Sequence, residues 1–158
     1  MTEKRFEFAV KFDEIPVRDQ VSAYPEPFFS RMLGRKKRQL GNHFGLQNFG
    51  INHTVLEPGA ESSILHMHTK QDEFIYILEG NPTLVMEAGE QELGPGMVAG
   101  FAAGDNAHQL VNRSDTPVVY LEIGDRTPGD EGQYPRDDLK AVLVDGKWKF
   151  MHKDGQPY

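Results

Sequence analysis

The sequence predicts an all-β domain, a sandwich or barrel, and three observations lead there. Short strand-like runs recur from Gly45 onward, with clusters of Gly, Pro, Asn and Asp between them. Sixteen Gly and ten Pro punctuate 158 residues, and no apolar period of 3.6 persists along the chain. A hydrophobic share of 38% against 26% charged, with ten Phe, belongs to a chain that buries one core rather than a disordered one.

The elements follow in order. Phe6, Phe8, Val10 and Phe12 alternate with Glu7, Ala9 and Lys11, which predicts a strand with one buried face. Pro16 to Gly41 is Pro-rich, then basic at Arg31, Arg35, Lys36, Lys37 and Arg38. It reads as an arm outside the main core, with one short helix near Phe28–Leu33. Strands are then expected at Phe49–Leu56, Ser62–His68, Glu73–Leu78, Thr83–Glu87, Gln91–Leu93, Met97–Phe101, Ala107–Val111 and Pro117–Ile123. Glu57-Pro58-Gly59, Glu79-Gly80-Asn81-Pro82 and Ala88-Gly89-Glu90 supply turns between them. Thr127–Asp138 reads as a polar, acidic connection. Ala141–Val144 and Lys147–Met151 flank Asp145-Gly146, a favoured two-residue hairpin turn. The expected division is an N-terminal strand and basic arm packing on the barrel (1–43), a barrel core (44–124), and the connection with its C-terminal hairpin (125–158).

Composition removes several function classes. The chain has no cysteine, so disulfides, thiolate metal sites and cysteine nucleophiles are absent together. A metal must be held by His and carboxylate. Seventeen Lys and Arg against 24 Asp and Glu, a formal charge of −7, argue against nucleic acid as a partner. The run Arg35-Lys36-Lys37-Arg38 is short and has no interleaved aromatics for base stacking, so it reads as solvated surface. No apolar run reaches the roughly 20 residues that cross a bilayer, and Met1 to Phe8 has no apolar h-region. The expectation is a soluble cytoplasmic protein that does not engage a membrane.

His66-Met67-His68 carries the chemistry. On a strand, positions i and i+2 point to one face, so both imidazoles project together. Thr69 to Asp72 turn the chain, and Glu73 opens the next run; if these strands pair antiparallel, Glu73 returns beside the two rings. His108 begins a later strand, His108 to Asn112. Three imidazoles and one carboxylate suit a borderline divalent ion and leave positions open for water or substrate.

The spacing Gly59…His66-x-His68-x4-Glu73-x6-Gly80 resembles the first motif of the cupins, and Gly96-x5-Ala102-x-Gly104-x3-His108-x3-Asn112 resembles their second. Ala102 stands where the family motif has Pro, and the gaps before His66 and His108 are each one residue longer. The resemblance spans Gly59 to Asn112 and, with the strand pattern, about Phe44–Gly124. It implies a double-stranded β-helix, a jelly-roll barrel with an N-terminal arm and a C-terminal hairpin. It also implies one divalent transition metal (Zn, Ni, Fe, Mn or Co) held by His66, His68, Glu73 and His108, with Gly80 and Gly104 in turns and Asn112 a structural position. The flanks look like single-domain bacterial cupins, some labelled sugar-phosphate isomerase by analogy.

The function expected from this is a metal-dependent enzyme acting on a small polar metabolite, with sugar-phosphate isomerisation the leading specific reaction. A ferrous dioxygenase-type oxidoreductase and a non-catalytic small-molecule or metal sensor are the alternatives. No catalytic acid or base is assigned from sequence. Ile64, Ile75, Ile77 and Leu110 are expected to line the cavity by two-residue alternation, leaving a small polar molecule as the substrate that fits. His43, His53 and His152 lack partner spacing. The alternating N-terminal strand needs a cover, which predicts a homodimer; the resemblance implies sheets paired across a two-fold axis, with exchange of that strand between subunits left open.

Overall fold

Residues 8–158 are described by a computed structural model in which nearly every apolar run of the sequence pairs with a neighbour. In chain order the strands are β1 (Arg35–Gln39), β2 (Phe49–Leu56), β3 (Met67–His68), β4 (Glu73–Glu79), β5 (Thr83–Met86) and β6 (Gly89–Glu92). They continue with β7 (Val98–Phe101), β8 (His108–Val111), β9 (Val118–Asp125), β10 (Glu131–Gln133), β11 (Lys140–Val144) and β12 (Lys147–Met151). Two short helices, α1 (Phe28–Arg31) and α2 (Leu40–His43), flank β1. No helix among the described residues is long and apolar enough to cross a membrane.

One wall is the antiparallel sheet β1-β2-β9-β4-β7. The other is built from β6-β5-β8 and β12-β11-β10-β3, joined where His66 bridges His108 and Glu61 bridges Val111. The two walls close on a shared core. Leu56, Ile75, Ile77 and Tyr120 from the first meet Leu84 and Leu110 from the second. Leu56, Ile77 and Val118 have no exposed surface, and each contributes about 1.5–3 kcal/mol of burial. The result is the expected jelly-roll barrel.

The N-terminal third of the chain departs from the sequence reading. Of the expected strand Phe6–Phe12, residues 1–7 lie outside the described residues, and Phe8–Lys11 forms no strand. Phe12–Glu14 is instead one 3-10 turn, closed by Glu14 N–H to Lys11 O at 3.1 Å and Ile15 N–H to Phe12 O at 3.2 Å. Phe12 stacks on the His53 ring, 4.3 Å away and 22° from parallel, and stays half exposed. The arm after it is not outside the core: Phe28 and Met32 are buried with Ile64, Tyr134, Leu139 and Ala141. Its basic run is solvated on one side only, where Lys36 is exposed. It is β1, paired with β2 from Arg35 opposite Leu56 to Gln39 opposite Asn52. Alternation then turns Arg35, Lys37 and Gln39 into the barrel beside Leu56, Thr54 and Asn52.

Ser62–His68 is ordered but only Met67–His68 is regular strand. The missing ladder is explained by side chains. Arg35 takes the Ser62 carbonyl, Gln109 takes that of Ser63 at 3.1 Å, and His66 takes that of Ile64 at 2.9 Å. Backbone groups spent this way cannot pair with a strand. The expected connection Thr127–Asp138 in turn contains β10, which pairs with both β3 and β11.

Candidate metal centre

The centre is assembled from three parts of the barrel. His66 and His68 lie at β3, Glu73 is the first residue of β4, and His108 is the first residue of β8. The main-chain bridge between His66 and His108, with N···O distances of 2.9 and 3.3 Å, fixes two of the rings across from each other. Glu73 is held between Phe101 of β7 and Gly124 of β9. The structure therefore brings together all four residues that the motifs single out.

Their heads converge. Glu73 Oε2 lies 3.5 Å from His66 Nε2, 3.4 Å from His68 Nε2 and 2.9 Å from His108 Nε2. His66 Nε2 and His68 Nε2 are 3.1 Å apart. Ligand atoms of His66, His68 and Glu73 all fall within 4.8 Å of one another.

What stands behind the rings fixes their tautomers. His66 Nδ1 donates to the Ile64 carbonyl at 2.9 Å, and His68 Nδ1 donates to the Asp130 carboxylate at 2.5 Å. Both acceptors have no proton to offer, so each Nδ1 carries the hydrogen, and each neutral ring presents a lone pair at Nε2. Two lone pairs and a carboxylate oxygen thus face one point. Glu73 Oε2 is buried there without a well-formed hydrogen bond. Such a donor set is unsatisfied until a cation enters it, and the residues fit a divalent metal.

The electrostatics agree. Burial alone would raise the Glu73 carboxyl, but the His108 and His66 rings hold it well below the usual carboxylate range. Burial alone would lower His66, yet the adjacent Glu73 carboxylate and Ile64 carbonyl raise it above an ordinary imidazole. The pocket stabilises positive charge. The His108 ring is clamped by Phe101, face to face at 3.5 Å.

Asp130 was not legible as a site residue. It has no exposed surface and also takes Lys70 N–H at 2.7 Å and the Thr69 hydroxyl at 3.2 Å. Its signal in the sequence, one Asp ahead of Glu131-Gly132-Gln133 in an acidic stretch, is hidden among surface acids.

The site opens into a cavity of about 360 Å³. Ile75 and Leu110 line it as expected, but Ile64 and Ile77 pack into the cores instead. The remaining wall is mixed rather than apolar throughout: Arg18, Arg35, Lys37, Asn52 and Glu122 face the space alongside Phe101, Tyr134 and Trp148. Lys37 Nζ pairs with Glu122, which also takes Thr54 Oγ1 at 3.0 Å and Asn52 Nδ2 at 3.3 Å. Desolvation lowers the Lys37 ammonium to about 8 against the pull of Glu122. Burial opposes ionisation of Glu122, but Lys37, Arg35 and the Thr54 hydroxyl together hold the carboxyl below its ordinary range. A signal for Glu122 did exist: Val118, Tyr120 and Glu122 share one face of an otherwise apolar strand. His43, His53 and His152 take no part. They contact Phe44, Phe12 and Tyr158 respectively.

Comparison with known proteins agrees with this geometry. The cupin domain profile matches residues 52–124. A sugar phosphate isomerase of the cupin superfamily from Silicibacter pomeroyi is 41% identical, with 95% of this chain and 96% of that one covered and a TM-score of 0.90. A structure from Acidithiobacillus ferrooxidans, whose name proposes the same activity, is 31% identical over 78% of this chain and 80% of that one, with a TM-score of 0.72. The polyketide cyclase RemF of Streptomyces resistomycificus shares the fold at 20% identity and a TM-score of 0.62, over 76% of this chain and 80% of its own. No curated protein matches. With its motifs, its barrel and a relative covered almost end to end, the chain belongs to the cupin superfamily.

Proposed function

We propose that this cupin is a metal-dependent isomerase of a small hydroxy-carbonyl metabolite, with sugar phosphates the leading substrates. The observation that carries it is a second ionisable pair, Lys37–Glu122, in the same cavity as the His–Glu centre. Isomerisation moves a proton between adjacent carbons and needs a base that is not also a metal ligand. A divalent ion held by His66, His68, Glu73 and His108 would supply Lewis acidity toward a carbonyl oxygen. Glu122 is the carboxylate available to remove the carbon-bound proton and return it one carbon along. Lys37, Thr54 and Asn52 hold that carboxylate ionised and in place. The carbon-bound proton moves one carbon along and the hydroxyl proton passes to the former carbonyl oxygen, so the step balances within the substrate with no oxidant or reductant. The similarity to the Silicibacter protein supports the same reaction class.

The test is an aldose–ketose interconversion assay on small sugar phosphates in deuterated water. Turnover with deuterium at the carbon beside the carbonyl is expected, lost on chelation and in His108→Ala. Glu122→Gln should lower kcat by about 10²–10⁴ with metal content retained. Full turnover in Glu122→Gln, or oxygen consumption in place of isomerisation, would overturn the reading.

A further inference from the structure

We infer that Arg18 and Arg35 form an oxyanion subsite in the cavity wall that binds a phosphate or carboxylate group of the substrate. The inference rests on the proposed metal-enzyme reading and names what the other end of that substrate carries.

The two guanidinium groups are brought together by the arm. Val17 bridges Arg38 and Arg18 N–H donates to the Lys37 carbonyl at 2.9 Å, so the arm lies along β1. Arg18 Nη2 and Arg35 Nη2 then both donate to the Val21 carbonyl, at 2.6 and 2.8 Å. Sharing one acceptor holds two like charges side by side, which costs free energy unless an anion offsets it. Arg35 is only 7% exposed.

The available counter-charge is committed elsewhere. Glu122 is the nearby carboxylate, and it is engaged by Lys37, Thr54 and Asn52. At the rim, Asp125 accepts from the Asp72 and Thr127 backbones, and Arg126 is taken by Leu46 and Asn42. Glu73 sits among the three histidines. Arg18 Nε and Arg35 Nε are both buried with no acceptor. An oxyanion can accept from several N–H groups of a guanidinium pair at once. Both side chains line the same cavity as His66, His68, Glu73 and His108, so one small molecule can reach both ends.

Calorimetric titration of the full-length chain, as purified, with inorganic phosphate and separately with acetate tests the inference. Metal content is measured on the same samples. Phosphate or acetate should bind wild type and raise its Tm, and the tighter of the two identifies the group recognised. Arg18→Gln, in the half-buried arm, should weaken that binding at least tenfold. Arg35→Lys keeps charge but loses the planar fork, and should weaken it as well. Both variants should melt as cooperatively as wild type. Binding unchanged in both variants, or no binding of either anion to metal-replete protein, would overturn the subsite and leave the metal reading standing. Arg18-dependent binding in a chain that holds no metal would support the subsite and count against the metal reading.

Discussion

At the scale of single residues, the groups behind the histidines matter as much as the histidines. Asp130 fixes the His68 tautomer through a 2.5 Å contact, so Asp130→Asn should weaken metal binding about 10–100-fold, measured by chelator competition. Unaltered affinity would mean that His68 orients without it. Lys37 offers a second residue-scale prediction. Its amine titrates near 8 because burial outweighs the Glu122 carboxylate. In Glu122→Gln the opposing charge goes while burial stays, so the apparent pKa should fall further, as followed by nitrogen chemical shift. Because the folded-state pKa lies below that of the unfolded chain, the unfolded chain holds more protons between about 8 and its ordinary value, and Lys37 makes folding more favourable as pH rises through that window. Residues such as His66, His68, Glu73 and His108 were readable because metal ligation demands particular types at fixed spacing. Asp130 was not, because an acid that orients a ring obeys no spacing rule with it.

At the scale of elements, the turns test the fold. Gly80 joins β4 to β5 with φ +79°, and a Cβ there would meet Pro117 O at 2.7 Å and Val118 Cα at 3.0 Å. Gly104, at φ +76°, has nothing within 4 Å. Alanine at either pays about 1–2 kcal/mol for left-handed backbone, but only Gly80→Ala also forces the backbone of β9 aside. Chemical denaturation should find Gly80→Ala clearly less stable than Gly104→Ala; equal costs would place the β4–β5 turn elsewhere. Strands with regular alternation and clear turns, such as Phe49–Leu56 and Lys147–Met151, were legible to the residue. β1 was not, since Arg35-Lys36-Lys37-Arg38 looks like surface until the cavity's need for inward charge is known. Over its described part the N-terminal alternation misled, because Phe12 opens a 3-10 turn and stacks on His53 instead of entering a strand.

At the scale of the whole molecule, an acidic chain concentrates cations inside its barrel, and its outer sheet face is apolar. Phe74, Tyr76 and Leu78 of β4 and Val98 of β7 are exposed side by side on the five-stranded sheet. A contiguous apolar face of this sort calls for a cover. We propose that the expected homodimer forms across this face. Light scattering should give a dimer at micromolar concentration that Tyr76→Glu converts to monomer, and a monomeric wild type would end that proposal. Elemental analysis of the protein, purified without affinity tag or chelator, decides whether the His–Glu cluster is a metal centre. About one divalent transition metal per chain is predicted for wild type, lost in His66→Ala and His68→Ala proteins that still melt cooperatively. Equal metal in wild type and both variants, or a wild-type chain that takes up none when it is supplied, would rule out a metal centre at His66 and His68.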